Sequence, residues 1–293
     1  MYSNHLTQQL QKTTTALLRK KTLDSNDIEN LREVLRFHEY RYYILNDNLI
    51  SDPEYDQLYK ELERIEQDDP ALITDDSPTQ RVAKGLTKDF PEAQHLVPML
   101  SLDNSYNSDD LLDFDRKARE LTGLDTIEYC VEPKFDGGSI SLIYENDRLV
   151  RGATRGDGEK GDEITTNIKQ IRSIPLSAKF SSYGLQTVEI RGEVLINKNN
   201  FAKYNQQLIE QGLTPLANPR NSAAGTLRVK DPTEVQKRNL EAFVYHVSYY
   251  TTTKGKDTPA ELLTHSASLE MLWELGFRSP KHEMKVFKGI EGV

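Results

Sequence analysis

Apolar residues recur at helical spacing in the first third of the chain and at strand spacing through most of the rest. In "NLREVLRFHEYRYYI" the residues Leu31, Leu35, His38 and Tyr42 fall on one face of a helix. "SDPEYDQLYKELERIE" predicts a second helix, with Asp52 as its capping residue and Pro53 at the first helical position. Its apolar stripe then runs Tyr55, Leu58, Tyr59, Leu62, Ile65. "QDDPALITDDSPTQRV" is dense in turn formers and closes this helical unit, which the pattern places at residues 1–88.

From about Phe90 the period changes. "TIEYCVE", "SISLIYE" and "RLVRGATR" read as strands, the last two joined by an Asn146-Asp147 hairpin turn. "TVEIRGEVLI" and "EAFVYHVSYY" are further strands, rich in β-branched and aromatic residues. Helices interleave at "SDDLLDFDRKARELTG", "NKNNFAKYNQQLIEQG" and "TPAELLTHSASLEMLWELGF", where Trp273, in step with Leu269 and Phe277, reads as core. Elements grouped this way predict an α+β unit on antiparallel sheets over residues 89–293, behind the small helical domain.

Composition narrows the class without changing this picture. The chain has 293 residues, 37% hydrophobic and 28% charged, as a soluble globular protein does. No apolar run approaches a membrane span, no secretory core opens the chain, and the lone Cys130 rules out an internal disulfide or a cysteine-cluster zinc site. A reducing cytoplasm is the expected location. Acidic residues outnumber basic ones, 46 against 37, a balance that argues against a free-standing DNA-binding module. Local basic stretches remain at Arg148–Arg172 and Arg220–Arg238, both studded with small residues that suit a phosphate site.

Four short patterns carry candidate chemistry. In "VEPKFDGGSI", Lys134 stands before an Asp136-Gly137-Gly138 turn. A lysine nucleophile needs desolvation or nearby positive charge, which Val131, Phe135 and distant arginines would supply. On its own the pattern is more simply an exposed lysine before a turn. "ATRGDGEKGDEITTN" joins Arg155 to a glycine-rich loop whose amides would face an anion, or is an ordinary β-loop. "EIRGEVLI" sets Gly192 between Arg191 and Glu193 within a strand, which predicts a ligand or a close backbone approach there. Glu193 would accept from a ribose hydroxyl or hold a metal-bound water. "ANPRNSAAGTLRVKDP" spaces Arg220 and Arg228 across small residues, for phosphates or for carboxylates.

Taken together and in order, these segments resemble the adenylation domain of bacterial NAD-dependent DNA ligases. "EPKFDG" is similar to that family's lysine nucleotidyl-transfer motif. "TRGDG", "RGEV" and "NPRNSAAGTLR" follow in the family's order. "HEYRYYILNDNLISDPEYDQL" and "SPTQRV…VPMLSLDN" resemble its helical domain and the start of its catalytic domain. The resemblance runs from about Leu31 to about Phe277. It implies a nucleotidyltransferase domain of the ATP-grasp-like DNA ligase/mRNA capping type, with Lys134 attacking the α-phosphate of NAD. The products would be lysyl-AMP and nicotinamide mononucleotide, with Mg²⁺ as co-reactant and no metal-ligating residue assigned here. In a full enzyme AMP would then activate the 5′-phosphate of nicked double-stranded DNA, in replication and repair.

The same resemblance assigns roles by position. Glu132 and Tyr245 belong near the adenine, Asp136 follows the nucleophile by two, and Arg155 and Glu193 belong near ribose and phosphate. Ser101 and Leu102 line the NAD pocket, while Arg220 and Arg228 meet the leaving group or DNA phosphate. Tyr42, Tyr43, Asp52, Tyr55 and Asp56, with Pro53 and Glu54 between them, contact the nicotinamide mononucleotide half.

Two departures from the family pattern stand out. Gly138 and Ser139 replace bulkier residues, and Tyr43 stands where some members carry histidine. After "GFRSPKHEMKVFKGIEGV" the family continues into a D-G-V-V-I-K strand and a further phosphate-binding lysine, which Lys285 and Lys288 are not placed to replace. The expectation is an adenylation domain that is C-terminally incomplete, a monomer without membrane partners, binding NAD weakly, self-adenylating poorly and not sealing nicks. The alternatives are an ATP-dependent polynucleotide ligase or related nucleotidyltransferase, and a non-catalytic NAD-binding module.

Overall fold

The structure, a computed structural model, describes residues 2–45, 47–81 and 89–293. The unit boundary expected at Lys88 lies outside the described residues. The chain opens with three helices, α1 (Asn4–Arg19), α2 (Ile28–Tyr43) and α3 (Asp52–Asp68). Leu10, Leu17, Leu31, Val34, Leu35, Phe37, Leu58 and Leu62 close into one apolar core between them. Leu31, Leu35 and His38 are buried as their spacing predicts, but Tyr42 is 46% exposed. It lies in the last turn of α2 and leans on Tyr43, ring centroids 4.7 Å apart, instead of entering the core.

The cap of α3 falls one residue earlier than expected. Ser51 is the N-cap, and its N–H and Oγ both donate to the Glu54 carboxylate, at 2.8 and 2.7 Å. Asp52 is therefore the first helical residue, and Pro53 sits in the first turn, where no N–H is needed. A buried ion pair ties α2 to α3: Arg32 meets Glu66 at 2.7 Å, and Ser77 Oγ donates to the same carboxylate at 2.7 Å.

The second part begins with β1 (Glu92–Gln94) and α4 (Ser108–Thr122), then β2 (Glu128–Val131), β3 (Gly138–Glu145), β4 (Arg148–Thr154) and β5 (Lys160–Asp162). After the single-turn α5 (Thr165–Ile168) come β6 (Leu185–Leu195), α6 (Lys198–Glu210), α7 (Pro219–Thr226) and α8 (Pro232–Lys237). β7 (Glu241–Thr252), α9 (His265–Glu274) and β8 (Lys285–Lys288) complete it. β4, β3, β6 and β7 form one antiparallel sheet in that order, and β1–β5 and β2–β8 pair as two-stranded ladders. The architecture is α+β on antiparallel sheets.

Asn146 and Asp147 turn the β3–β4 hairpin with φ of 47° and 70°, the left-handed pair that matches the twist of the strands. A second core, separate from the first, gathers Ile140, Leu142, Tyr144, Val188, Ile190, Val194, Val244, Leu272 and Phe277. The helix expected over residues 258–277 is broken. A 3-10 turn at Ala260–Leu262 precedes α9, which Thr264 caps by accepting from Ala267 N–H at 3.2 Å. Leu269 is fully buried, whereas Trp273 is only half-buried and packs edge-on to His282. Gly192 meets the close backbone approach its position predicts: a Cβ there would stand 2.7 Å from the Phe243 carbonyl of β7.

Candidate functional site

Lys134 lies in the loop between β2 and β3, and its side chain is exposed. The apolar neighbours do not desolvate it. Val131 is exposed, and Phe135 stacks on Phe243 at 4.4 Å, with the Arg278 guanidinium over the other ring. What the fold supplies is a fixed loop. β3 and β6 pair so that Ser139 stands opposite Glu193. Glu193, 9% exposed, accepts from Gly137 N–H at 2.9 Å and Ser139 Oγ at 2.7 Å, one on each oxygen. Each of those oxygens keeps a lone pair for a ligand hydroxyl.

Asp136 pairs with Arg220 of α7 at 2.8 Å, on the exposed side of the same loop. Tyr245 of β7 is half-buried among Glu193, Arg191, Arg155 and Glu132, and burial is the main cause that pushes its phenol above the ordinary range. Glu132 takes a contact from His265 Nε2 at 2.8 Å, while its other oxygen is buried without a hydrogen-bond partner among the described residues. Lys134, Asp136, Glu193, Arg220, Tyr245 and Glu132 thus surround one turn, although they are scattered over more than a hundred positions of sequence. Ser139 and His265 join them; the sequence marked Ser139 only as a small residue beside Gly138 and gave no signal for His265. Their partners stand 54 and 133 residues away, and only the pairing of β3 with β6 and the placement of α9 reveal them.

Arg155 follows β4 with an exposed side chain. Its glycine loop does not offer amides to an anion. Gly158 N–H donates to the Arg155 carbonyl at 3.0 Å, and the Glu159 and Lys160 N–H groups both donate to Asp157 Oδ1 at 2.9 Å. Gly156 and Gly158, with φ of 57° and 100°, are needed for that internal folding. Arg228 pairs with Asp162 at 3.3 Å, away from the Asp136–Arg220 pair. Ser101 and Leu102 are exposed on the segment that leaves the loop's edge, where Met99 N–H donates to Gly158 O at 2.7 Å. β8, carrying Lys285 and Lys288, pairs with β2, so Lys285 stands opposite Val131.

A second site lies in the helical part. A cavity of about 350 Å³ is lined by His38, Glu39, Tyr42, Tyr43, Asn48, Asp52, Tyr55 and Asp56, with Arg172 contributed from the second part. Pro53 and Glu54 do not line it, and the Glu54 carboxylate is engaged by Ser51. Glu39 is the cavity's anchor: Arg172 Nη1 meets it at 2.6 Å and Tyr55 OH donates to it at 3.2 Å. Burial opposes the Arg172 charge, but Glu39 together with Tyr55 and Tyr43 outweighs it and holds the guanidinium above its ordinary range. None of the residues around Lys134 lines this cavity.

Among the described residues no group of three or more His, Cys, Asp or Glu side chains converges as a metal-binding set. Of the carboxylates around this loop, Asp136 is engaged by Arg220 and Glu193 by two donors, which leaves Glu132 Oε2 alone without a partner among the described residues. They do not fit a protein cage for Mg²⁺. No helix among the described residues is long and apolar enough to cross a membrane.

Comparison with known proteins identifies the family. Residues 87–293 match the family model described as "NAD-dependent DNA ligase adenylation domain". Residues 21–83 match "DNA ligase-like, N-terminal NAD+-binding domain". A protein named DNA ligase from Sulfurihydrogenibium sp. (strain YO3AOP1) is 61% identical over 91% of this chain and 38% of its own length. One from Aquifex aeolicus (strain VF5) is 51% identical over 100% of this chain and 41% of its own length. One from Thermotoga maritima is 43% identical over 91% of this chain. The chain spans about two fifths of the length of these curated relatives. With one family model covering more than half of it, the chain belongs to the family of NAD-dependent DNA ligase adenylation domains.

Proposed function

We propose that this chain carries the first chemical step of an NAD-dependent DNA ligase. The Lys134 amine, once deprotonated, attacks the α-phosphorus of NAD. The N–P bond of lysyl-AMP forms as the P–O bond to nicotinamide mononucleotide breaks, and the mononucleotide leaves with the electron pair. The observation that carries this reading is the clamped loop: Glu193 and Arg220 hold the turn after Lys134 from two sides through Gly137, Ser139 and Asp136. Such a hold fixes the nucleophile for in-line attack, the main thing a protein contributes to phosphoryl-group transfer.

In this reading Glu193 accepts from the ribose, Tyr245 and Glu132 receive the adenine, and Arg155, Arg220 and Arg228 face phosphate charge. Ser101 and Leu102 border the nucleotide. Tyr42, Tyr43, Asp52, Tyr55 and Asp56 take the nicotinamide mononucleotide half in the helical cavity. NAD must reach both sites, so the helical part swings toward Lys134 on binding. In a chain of the relatives' length, AMP then passes to the 5′-phosphate of a DNA nick and the neighbouring 3′-hydroxyl displaces it.

Incubation with adenine-labelled NAD and Mg²⁺, followed by mass spectrometry of the peptide containing Lys134, tests the reading. Slow, NAD-dependent AMP labelling of Lys134 is expected, absent in Lys134→Ala and absent with ATP. NAD that binds without ever labelling Lys134 would reduce the chain to a nucleotide-binding module, and labelling by ATP would move it to a different class of ligase.

A further inference from the structure

Beneath the Arg155 loop lies a buried polar cluster that the transfer chemistry above does not use. Glu189 of β6 is fully buried and accepts from Ser141 Oγ at 2.5 Å and Ser248 Oγ at 3.1 Å. The His95 side chain, 1% exposed, sets Nδ1 3.7 Å from Glu189 Oε1. Its Nε2 lies 3.0 Å from the Arg155 carbonyl oxygen. A carbonyl only accepts, so Nε2 carries the proton and donates. Arg155 N–H in turn donates to the Ser139 carbonyl at 3.3 Å. The Arg155 backbone is therefore held on both sides, while its guanidinium makes no hydrogen bond or ion pair among the described residues. Burying a glutamate and a histidine costs free energy that apolar side chains in their place would not.

We propose that His95, buried beside Glu189, is a positioning residue for Arg155: it fixes the carbonyl of Arg155 so that the guanidinium starts from one set place toward the nucleotide. The proposal rests on Arg155 meeting NAD, as in the reading above. The segment carrying His95 also continues into Ser101 and Leu102, and Arg191 Nη2 ties it down at the Val97 carbonyl, 2.7 Å away. One polar cluster thus supports two of the walls assigned to NAD.

A double-mutant cycle tests it, reading the rate of Lys134 labelling and NAD affinity by calorimetry, with thermal melts to follow folding. His95→Ala is expected to slow labelling about tenfold. His95→Gln, which keeps an N–H able to reach the carbonyl, recovers most of that loss. In an Arg155→Ala background, His95→Ala has no further effect. The proposal is overturned if His95→Ala slows Arg155→Ala by the same factor again, or if folded His95→Gln is as slow as His95→Ala. Should His95→Ala not fold, His95→Asn, too short to reach the carbonyl, replaces it in the cycle. A wild-type chain that neither binds NAD nor labels overturns the assigned function and this proposal together. A wild-type chain that labels but gives an additive cycle overturns this proposal alone.

Discussion

Glu193 is the residue from which the Lys134 loop hangs, and Ser139 is the smallest part of that suspension. Removing the hydroxyl in Ser139→Ala leaves Glu193 Oε2 without its 2.7 Å donor. The expected cost is about 1 kcal/mol of stability, read by urea unfolding, together with roughly tenfold slower labelling of Lys134. His38 gives a pH prediction at the same scale. The Thr14 hydroxyl donates to the Leu10 carbonyl at 2.7 Å, so His38 Nε2 must be the donor in its 3.0 Å contact with Thr14. Nδ1 is buried without a partner among the described residues, and burial lowers the imidazole pKa from 6.5 to about 4. Between those values the unfolded chain binds a proton that the folded chain refuses. Stability from this site is thus complete above the unfolded value and declines as pH falls, by up to about 3 kcal/mol near pH 4. Unfolding of wild type and His38→Gln near neutral pH and near pH 4 should show the acid loss shrinking in the variant. The short patterns around Lys134, Asp136 and Arg155 were visible in the sequence as candidates. Ser139, His95 and His265 were not, since each is defined by a partner far along the chain.

At the scale of elements, the glycine after the Lys134 motif sets how closely α7 rests on β3. A Cβ on Gly138 would meet Leu227 Cδ1 at 2.9 Å and Ala224 Cα at 3.0 Å. The small residues of "NSAAG" let the helix come this close, so the glycine that departs from the family pattern and the small-residue helix answer one another. Gly138→Ala should push α7 outward and cost about 1–3 kcal/mol, measured by chemical denaturation. Because Arg220 rides on α7, its pairing with Asp136 should loosen as well. The strands lie where their β-branched and aromatic runs predict, but β3 and β6, central in the sheet, bury both faces without alternation from Ile140 to Tyr144 and from Val188 to Val194. The broken helix before α9 was missed because Thr264 competes with helix continuation by capping. The glycine loop after Arg155 has a composition that suits an anion cradle and an ordinary β-loop equally. Only the hydrogen bonds show its amides spent within the loop.

At the scale of the molecule, ion pairs and hydrogen bonds link the parts that hold the two separate cores. Arg172 and Arg81 reach Glu39 at 2.6 and 3.4 Å, and Arg81 also donates to the carbonyls of Lys169 and Ile174. Beside this joint lies a larger cavity of about 480 Å³, lined from both parts and remote from Lys134. Arg172→Ala would leave Glu39 buried with less compensation, and a loss of about 3 kcal/mol is expected in denaturant unfolding. Polar joints of this kind permit rearrangement, and addition of NAD should contract the radius of gyration measured by small-angle X-ray scattering. An unchanged radius with NAD bound would count against closure. The sequence by itself determined the antiparallel α+β architecture, because periodicity is written in neighbouring residues, and it offered the lysine, carboxylate and arginine motifs as candidates. Tertiary structure alone decided that Lys134 stays exposed on a loop held by Glu193 and that the helical cavity stands apart from it. It also decided that buried His95 and Glu189 lie under Arg155. Those outcomes depend on strand register and on packing between distant segments, where the free energy of each contact is shared by residues that the chain does not place side by side.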